Sequence, residues 1–356
     1  MRGWWWLWSG CPGVGAARMA ALQAVAHERN LELSDLWSWT SQQLQACLAW
    51  PDGVMLNLDR YRAERGAVPD LQVPVDVVLP MDSAWPGCLD RLTRPPLALH
   101  CQGDRALLPL LAEQRAVAVV GTRAASDHGL TMAQRLGHAL AESGWPVLSG
   151  LADGIDADVH RACLAQGGAP VAVLGTPLNR IYPRHHAALQ ASVASQGLLL
   201  SEFRAGQGVQ PSHFACRNRL LVAMARALVV VECPERSGAL ISARFARELQ
   251  CPVWVIPGDA SRWSARGSNR LLQDHATALL APEDLIDHLG PGPLLPRPLE
   301  SPRSGLVDAL GAGATLDELA FRLQRSHTSL AADLLKLELS GRVLCESGFL
   351  WKASQR

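Results

Sequence analysis

Between residues 116 and 256 the chain alternates short apolar runs with helical stretches, and no other feature constrains the fold as strongly. The runs at 117–120, 146–148, 170–174, 198–201, 228–231 and 253–256 are rich in Val and Leu and nearly free of polar residues. Helical patterns at 127–142, 156–166, 185–195, 218–225 and 240–249 separate them. Strands apolar on both faces belong to a parallel sheet covered on both sides, because each parallel pair needs a crossover long enough to hold a helix. The expected fold class is α/β: a Rossmann-like, doubly wound, mostly parallel sheet with right-handed crossovers.

The flanks read differently. Residues 1–75 read as a small helical domain. Its opening Trp4-Trp5-Trp6-Leu7-Trp8 is too short to cross a bilayer and reads as a buried anchor, so no membrane attachment is expected. Cys11-Pro12-Gly13-Val14-Gly15 reads as a glycine turn opening a helix, either half of a helix–hairpin–helix phosphate grip or an ordinary helix start. Thr40 and Ser41 read as the cap of a short helix ending before Pro51. Residues 76–110, with Pro80, Pro86, Pro95 and Pro96, read as an extended lead-in with one strand at 97–100. The sheet domain is taken as 76–290, and the proline-rich 291–302 as a linker. Residues 303–356 read as a winged-helix-like domain: a capping box at Thr315 and Glu318, a second helix at 328–339, and strands at 343–346 and 349–351.

Lys and Arg total 33, as do Asp and Glu, so the net charge is +0 and a general DNA-coating polycation is disfavoured. Any nucleic-acid site must be a local cluster of cations. Lys336 and Lys352 are the only lysines, so arginine must supply them. The nine cysteines are scattered singly with no CxxC pair. That pattern reads as reduced core thiols in a cytoplasmic protein rather than a disulfide or zinc framework.

In an open parallel sheet, ligands bind beyond the carboxyl ends of the strands. Small residues gather at those ends: Gly121-Thr122 before Arg123, Ser149-Gly150, Gly175, and Ser237-Gly238 followed by Ser242. They let an anion approach exposed backbone N–H groups closely. His213 and Phe214 precede Arg217-Asn218-Arg219, in what reads as a loop running on from Gly206 and Pro211. Cations beside an aromatic suit single-stranded DNA, the arginine meeting phosphate and the ring stacking a base. The alternative is a core Phe214 with merely solvated arginines. Asp156 and His160 share a helix face at i,i+4 but lack a third ligand, so a structural hydrogen bond is preferred to a metal site. There is no GxGxxG, Walker lysine or GxSxG elbow. Dinucleotide, ATP and hydrolase readings therefore lack support, and no cofactor is expected.

Several of these segments together resemble the DNA-processing protein A (DprA/Smf) family. They are Val119-Val120-Gly121-Thr122-Arg123, Ser149 to Asp156 with His160, Tyr182-Pro183, Leu199-Leu200-Ser201-Glu202, Phe214 with Arg217-Asn218-Arg219, Ser237 to Ser242, and Gly267-Ser268-Asn269. The resemblance covers roughly 80–290 and implies a Rossmann-like domain that binds single-stranded DNA, forms a homodimer and loads RecA onto incoming strands in natural transformation. Family members often carry a SAM-like or helix–hairpin–helix domain before it and a winged helix after it. The resemblance also implies that Arg123, Phe214 and Arg217 touch DNA and that the protein is not an enzyme. Pro211 stands where the family often has lysine, Ala215 where it has proline and His128 where it has tyrosine. The competing class is a phosphoribohydrolase on a related fold. Residues 235–242 lack the glutamate that follows the glycines in those enzymes.

Overall fold

The computed structural model describes the chain except for residues 67, 275, 296–305, 307, 308, 312, 324, 325, 340–342, 347–349 and 354–356. It divides into two compact units, Met1–Leu295 and Pro296–Arg356. The first unit opens with five helices: α1 (Arg2–Ser9), α2 (Ala16–Glu28), α3 (Leu33–Ser38), α4 (Ser41–Leu48) and α5 (Asp52–Arg65). Gly15 opens α2, and the Thr40 side chain caps α4, both as the sequence indicates. The tryptophans of α1 do act as an anchor. Trp5 and Trp8 are buried, and their indole N–H groups donate to the carbonyls of Leu97 (2.7 Å) and Leu33 (3.0 Å). The guanidinium of Arg204 lies 3.4 Å from the centre of the Trp6 ring and donates to the Trp6 carbonyl at 2.7 Å. The Trp8 bond holds α1 on α3, while the Leu97 and Arg204 contacts attach the helical segment to the sheet that follows it.

That sheet has nine strands: β1 (Val77–Val78), β2 (Leu99–Gly103), β3 (Val117–Val120), β4 (Val147–Ser149), β5 (Pro170–Leu174), β6 (Leu198–Ser201), β7 (Ala227–Val230), β8 (Val253–Val255) and β9 (Thr277–Ala278). Their order is β1-β2-β6-β5-β4-β3-β7-β8-β9. β3 to β9 pair in parallel, while β1 and β2 add antiparallel at the β6 edge. The intervening helices are α6 (Leu108–Ala112), α7 (Asp127–Glu142), α8 (Ile155–Ala165), α9 (Ala187–Gln196), α10 (Pro211–Ala223), α11 (Gly238–Glu248), α12 (Arg266–Gln273) and α13 (Pro282–Leu289). Successive strand residues feed opposite layers. Val117, Val119 and Val229 pack with Met132, Leu136 and Val159 of α7 and α8. Ala118, Val120 and Leu228 pack with Leu220, Leu221 and Ala239 of α10 and α11. Burial on both faces explains the unbroken apolar runs.

Two expectations need correcting. Residues 76–110 are not an extended lead-in with a single strand. They supply β1, β2 and α6, and β2 hydrogen-bonds along β6 from His100 to Gly103. The sequence signal is weak because prolines break the stretch and the strands are short. Helix α10 begins at Pro211, not at 218, so Phe214 lies in a first helical turn rather than in a loop. Proline suits that position, since its missing N–H has no helical partner there anyway. Gln210 and His213 form the capping box that starts the helix.

In the second unit, helices Leu316–Leu323 and His327–Leu339 precede an antiparallel hairpin, Val343–Glu346 with Leu350–Ala353. Thr315 and Glu318 form the expected capping box, at 2.9 and 3.3 Å. Leu306, Leu319, Leu330, Leu334 and Val343 share its core. The 291–302 linker lies largely outside the described residues. No helix among the described residues is long and apolar enough to cross a membrane. Cys88, Cys101, Cys163, Cys233 and Cys251 are core residues, and burial pushes each thiol up to about 11 or 12.

Asp156 and His160 sit one turn apart on α8 without bonding to each other. Asp156 Oδ2 accepts from the Gly150 N–H at 3.2 Å. His160 is fully buried beside the Ser149 backbone, with no hydrogen bond of good geometry to either ring nitrogen. Burial, reinforced by the Arg217 charge, pulls its pKa from 6.5 to about 3. The unfolded chain therefore takes up this proton near pH 6.5, while the folded chain refuses it until about pH 3. Stability from this site is present above pH 6.5 and drains away below it, at a limiting slope of about 1.4 kcal/mol per pH unit. Thermal melts of His160→Leu between pH 7 and 5 should fall less steeply than those of the parent, and parallel curves would refute the assignment.

Candidate nucleic-acid interface

Strand order reverses at β3: β4, β5 and β6 continue to one side, and β7, β8 and β9 to the other. The loops leaving β3 and β7 therefore diverge, and a crevice of about 350 Å³ opens between them. Gly121, Thr122 and Arg123 line one wall, Ser237 and Gly238 the other, and Phe214, Arg217 and Asn218 the base. Asp156, Pro211 and Ala239 also line it, so the first turns of α8, α10 and α11 all face this space. Helix N-termini carry partial positive charge and unpaired N–H groups, so their convergence favours an anion.

The crevice also carries aromatic surface. The exposed Arg123 places its guanidinium 5.7 Å from the centre of the Phe214 ring. Tyr182, 45% exposed, approaches the same ring with centroids 4.8 Å apart and planes inclined at 42°. Gly175, just after β5, admits this arrangement, since a Cβ there would come within 2.7 Å of the Phe214 ring. Phe214 is half-buried, with neighbours of both kinds: sheet glycine below, cation and tyrosine alongside.

The other residues marked in the sequence divide by burial. Arg217 is buried at the base, where it donates at 2.7 Å to the Gly150 carbonyl, at 3.0 Å to Asn218 and also to the Val173 carbonyl. Burial draws its pKa down to about 10, with Asp156 opposing the fall. Burial in turn raises the Asp156 carboxyl, against the pull of Arg217. Arg219 points away from the crevice. It clamps Glu202 through two bonds, at 2.7 and 2.6 Å, with both side chains largely buried. Asn218 bridges to the Gly238 carbonyl at 3.1 Å. Ser149 is buried and donates to the Val119 carbonyl at 2.6 Å, so it stands in the framework rather than on the surface. Ser242 is likewise buried within α11. His213 stacks on Phe203, ring centres 4.1 Å apart, instead of facing the crevice. Gly150 lies in a small recess with Arg123, Asp153 and Tyr182.

Two lining residues escaped the sequence reading. Tyr182 lines the adjoining recess, and nothing local in the sequence marks it as a neighbour of Phe214. Arg236 is exposed on the β7 side of the crevice. Its position one residue before Ser237-Gly238 was a usable signal. Asp153, His185 and His186 bring potential metal-ligand atoms within 4.8 Å of one another, the one such group of three among the described residues. Its closest contact is a His185–Asp153 pair at 2.7 Å, while His186 Nδ1 meets the Leu151 carbonyl at 3.1 Å. The pair is satisfied as an ion pair or hydrogen bond.

Comparison with known proteins accounts for most of the chain. Residues 76–290 match the model of the DNA recombination-mediator protein A family, and residues 290–348 match the DprA winged helix domain. The protein Smf of Synechocystis is 31% identical over 301 residues, covering 83% of this chain and 74% of that protein. The X-ray structure of DNA processing protein A from Streptococcus pneumoniae superposes with a TM-score of 0.67 at 26% identity, covering 81% of this chain and 98% of that one. DNA processing protein A from Helicobacter pylori, whose structure was described for its single-stranded DNA binding mode, gives 0.52 at 28% identity, covering 60% and 94%. The α/β sheet domain and the winged helix domain thus match one known family, and the chain is a member of the DprA/Smf family of DNA-processing proteins.

Proposed function

We propose that this protein binds single-stranded DNA across the β3–β7 crevice and delivers it to RecA during natural transformation and recombination, without catalysing a reaction. The observation that carries the reading is the Arg123–Phe214–Tyr182 cluster beside three helix N-termini. A phosphate meets the Arg123 guanidinium and the helix N–H groups, while a base lies against the Phe214–Tyr182 surface. Duplex DNA keeps its bases stacked and gains little from that surface. Pro211 offers no cation where the family resemblance leads one to expect lysine, and Arg236 supplies one from the opposite wall. Arg217 contributes positive potential from beneath without leaving its carbonyl partners.

Binding rather than turnover is supported by the lining itself. Asp156 is the only carboxylate among the crevice residues, and it is buried, raised in pKa and bonded to the Gly150 N–H. It has no paired general acid or base to work with. On this reading the partners are RecA and a second copy of the chain, in the cytoplasm.

Three outcomes are expected. Arg123→Ala should weaken oligothymidylate binding and flatten the log–log salt dependence by about 0.7, one single-strand phosphate contact. Unchanged affinity and slope in a folded variant would remove Arg123 from the site. Glu202→Ala should instead cost about 3–5 kcal/mol of stability by stranding the buried Arg219 charge, and should leave the salt slope of the folded fraction unchanged. Urea unfolding and fluorescence anisotropy separate the two effects. Incubation with nucleoside monophosphates should release no free base, and release abolished by an Asp156→Asn change would restore the enzyme reading.

A further inference from the structure

The described function uses the crevice between β3 and β7, yet exposed aromatic and cationic groups continue past it along the same sheet edge. Trp263 follows β8 and is 65% exposed, with none of the ring or cation contacts that occupy Trp6, Trp8 and Trp37. An indole this open presents a flat apolar face on which another ring can stack. Its loop is held firmly. The hydroxyl of Ser264 bonds the buried carboxylate of Glu232, whose other oxygen accepts from Ser126 N–H and Oγ, each at 3.0 Å. One carboxylate therefore ties the loops after β3, β7 and β8 together, and Trp263 is carried on the same scaffold as Arg123.

A second groove, of about 540 Å³, lies beside this loop and is lined by Ala260, Arg266, Asn269 and Arg270. Glu235 lines this groove and Arg236 lines the crevice, so neighbouring residues mark the ridge between the two. The charges here are mixed. Arg236 and Arg266 are exposed, Arg262 is half-exposed, Arg270 pairs with Glu235 at 3.0 Å, and Asp259 and Asp274 stand nearby. Asp259 is bound by the Ser261 N–H and hydroxyl, both at 2.8 Å, and its charge faces Arg262. Arg236, Arg262, Arg266 and Arg270 thus stand against Glu235, Asp259 and Asp274 and leave a small positive surplus, with Arg236 and Arg266 the exposed guanidiniums.

We propose that Trp263 and the adjoining groove form a second nucleotide subsite, which receives the single strand after it leaves the Phe214 crevice. A base stacks on the Trp263 indole, and Arg262, Arg266 and Arg236 neutralise the phosphates that lead to it. Alternating aromatic and guanidinium groups along one edge are what a sequence-independent single strand requires. This inference rests on the proposed single-strand site, and it predicts that the footprint is longer than that site alone.

Oligothymidylates of about 4 and about 16 nucleotides distinguish the two, since the shorter can occupy only one subsite. Full-length Trp263→Ala should bind the longer strand about tenfold more weakly than the parent and the shorter strand equally well. Trp263→Phe should restore most of the loss. Equal binding of the long strand by parent and variant overturns the subsite. So does a change in oligomeric state by light scattering without any length-dependent loss, because Trp263 would then cover a second copy of the chain. If the parent fails to bind either strand, the crevice itself is misassigned, an outcome separate from failure at Trp263.

Discussion

The buried guanidinium of Arg217 holds the base of the crevice together. It rises from α10 and binds the carbonyls of Gly150, after β4, and Val173, within β5. Through Asn218 the same helix reaches the Gly238 carbonyl at the start of α11. Asp156, at the start of α8, accepts from the Gly150 N–H and faces the Arg217 charge. These acceptors on Nε and Nη1, with the Asp156 carboxyl nearby, offset the cost of holding a cation out of water. Its direct partners lie on α10, after β4 and within β5, and Asn218 and Asp156 extend the network to α11 and α8, which fixes where the loops around the crevice stand. Glycine at position 150 follows from this, since a side chain there would collide with the guanidinium.

Charge is thereby sorted by depth. Arg217 and Arg219 are framework cations, one held by carbonyls and one by Glu202, and neither can move to a phosphate without breaking buried bonds. Arg123 and Arg236 are exposed and available to a ligand. In the proposed binding mode Arg217 adds positive potential from beneath and the surface arginines make the contacts, while Arg219 is neutralised by Glu202. Such a division lets a chain of zero net charge present a local anion site.

Much of this was legible in the sequence, for identifiable reasons. The strands of the central sheet announce themselves because burial on both faces removes polar residues. Gly121 and Gly175 mark the crevice because a side chain there would collide with Ile155 or Phe214, whereas a side chain at Gly238 would meet open space. Arg217 and Arg219 were recognised as important but not as buried, since a one-dimensional pattern records a charge and not the carbonyls or carboxylate that surround it. The start of α10 was missed because proline reads as a loop residue, although it is favoured at a first helical position. Tyr182 approaches Phe214 only through tertiary folding, which no local pattern reports. The β1–β2 edge was obscured by short strands between prolines.

The central claim is that a single strand lies in the β3–β7 crevice with a base against Phe214 and a phosphate at Arg123. A crystal structure of the full chain with an oligothymidylate of about 8 nucleotides tests it most directly. The account predicts a thymine ring packed on the Phe214–Tyr182 surface, with a phosphate oxygen within hydrogen-bonding distance of the Arg123 guanidinium. An ordered strand bound elsewhere, with the crevice empty and Arg123 still resting over Phe214, would contradict it.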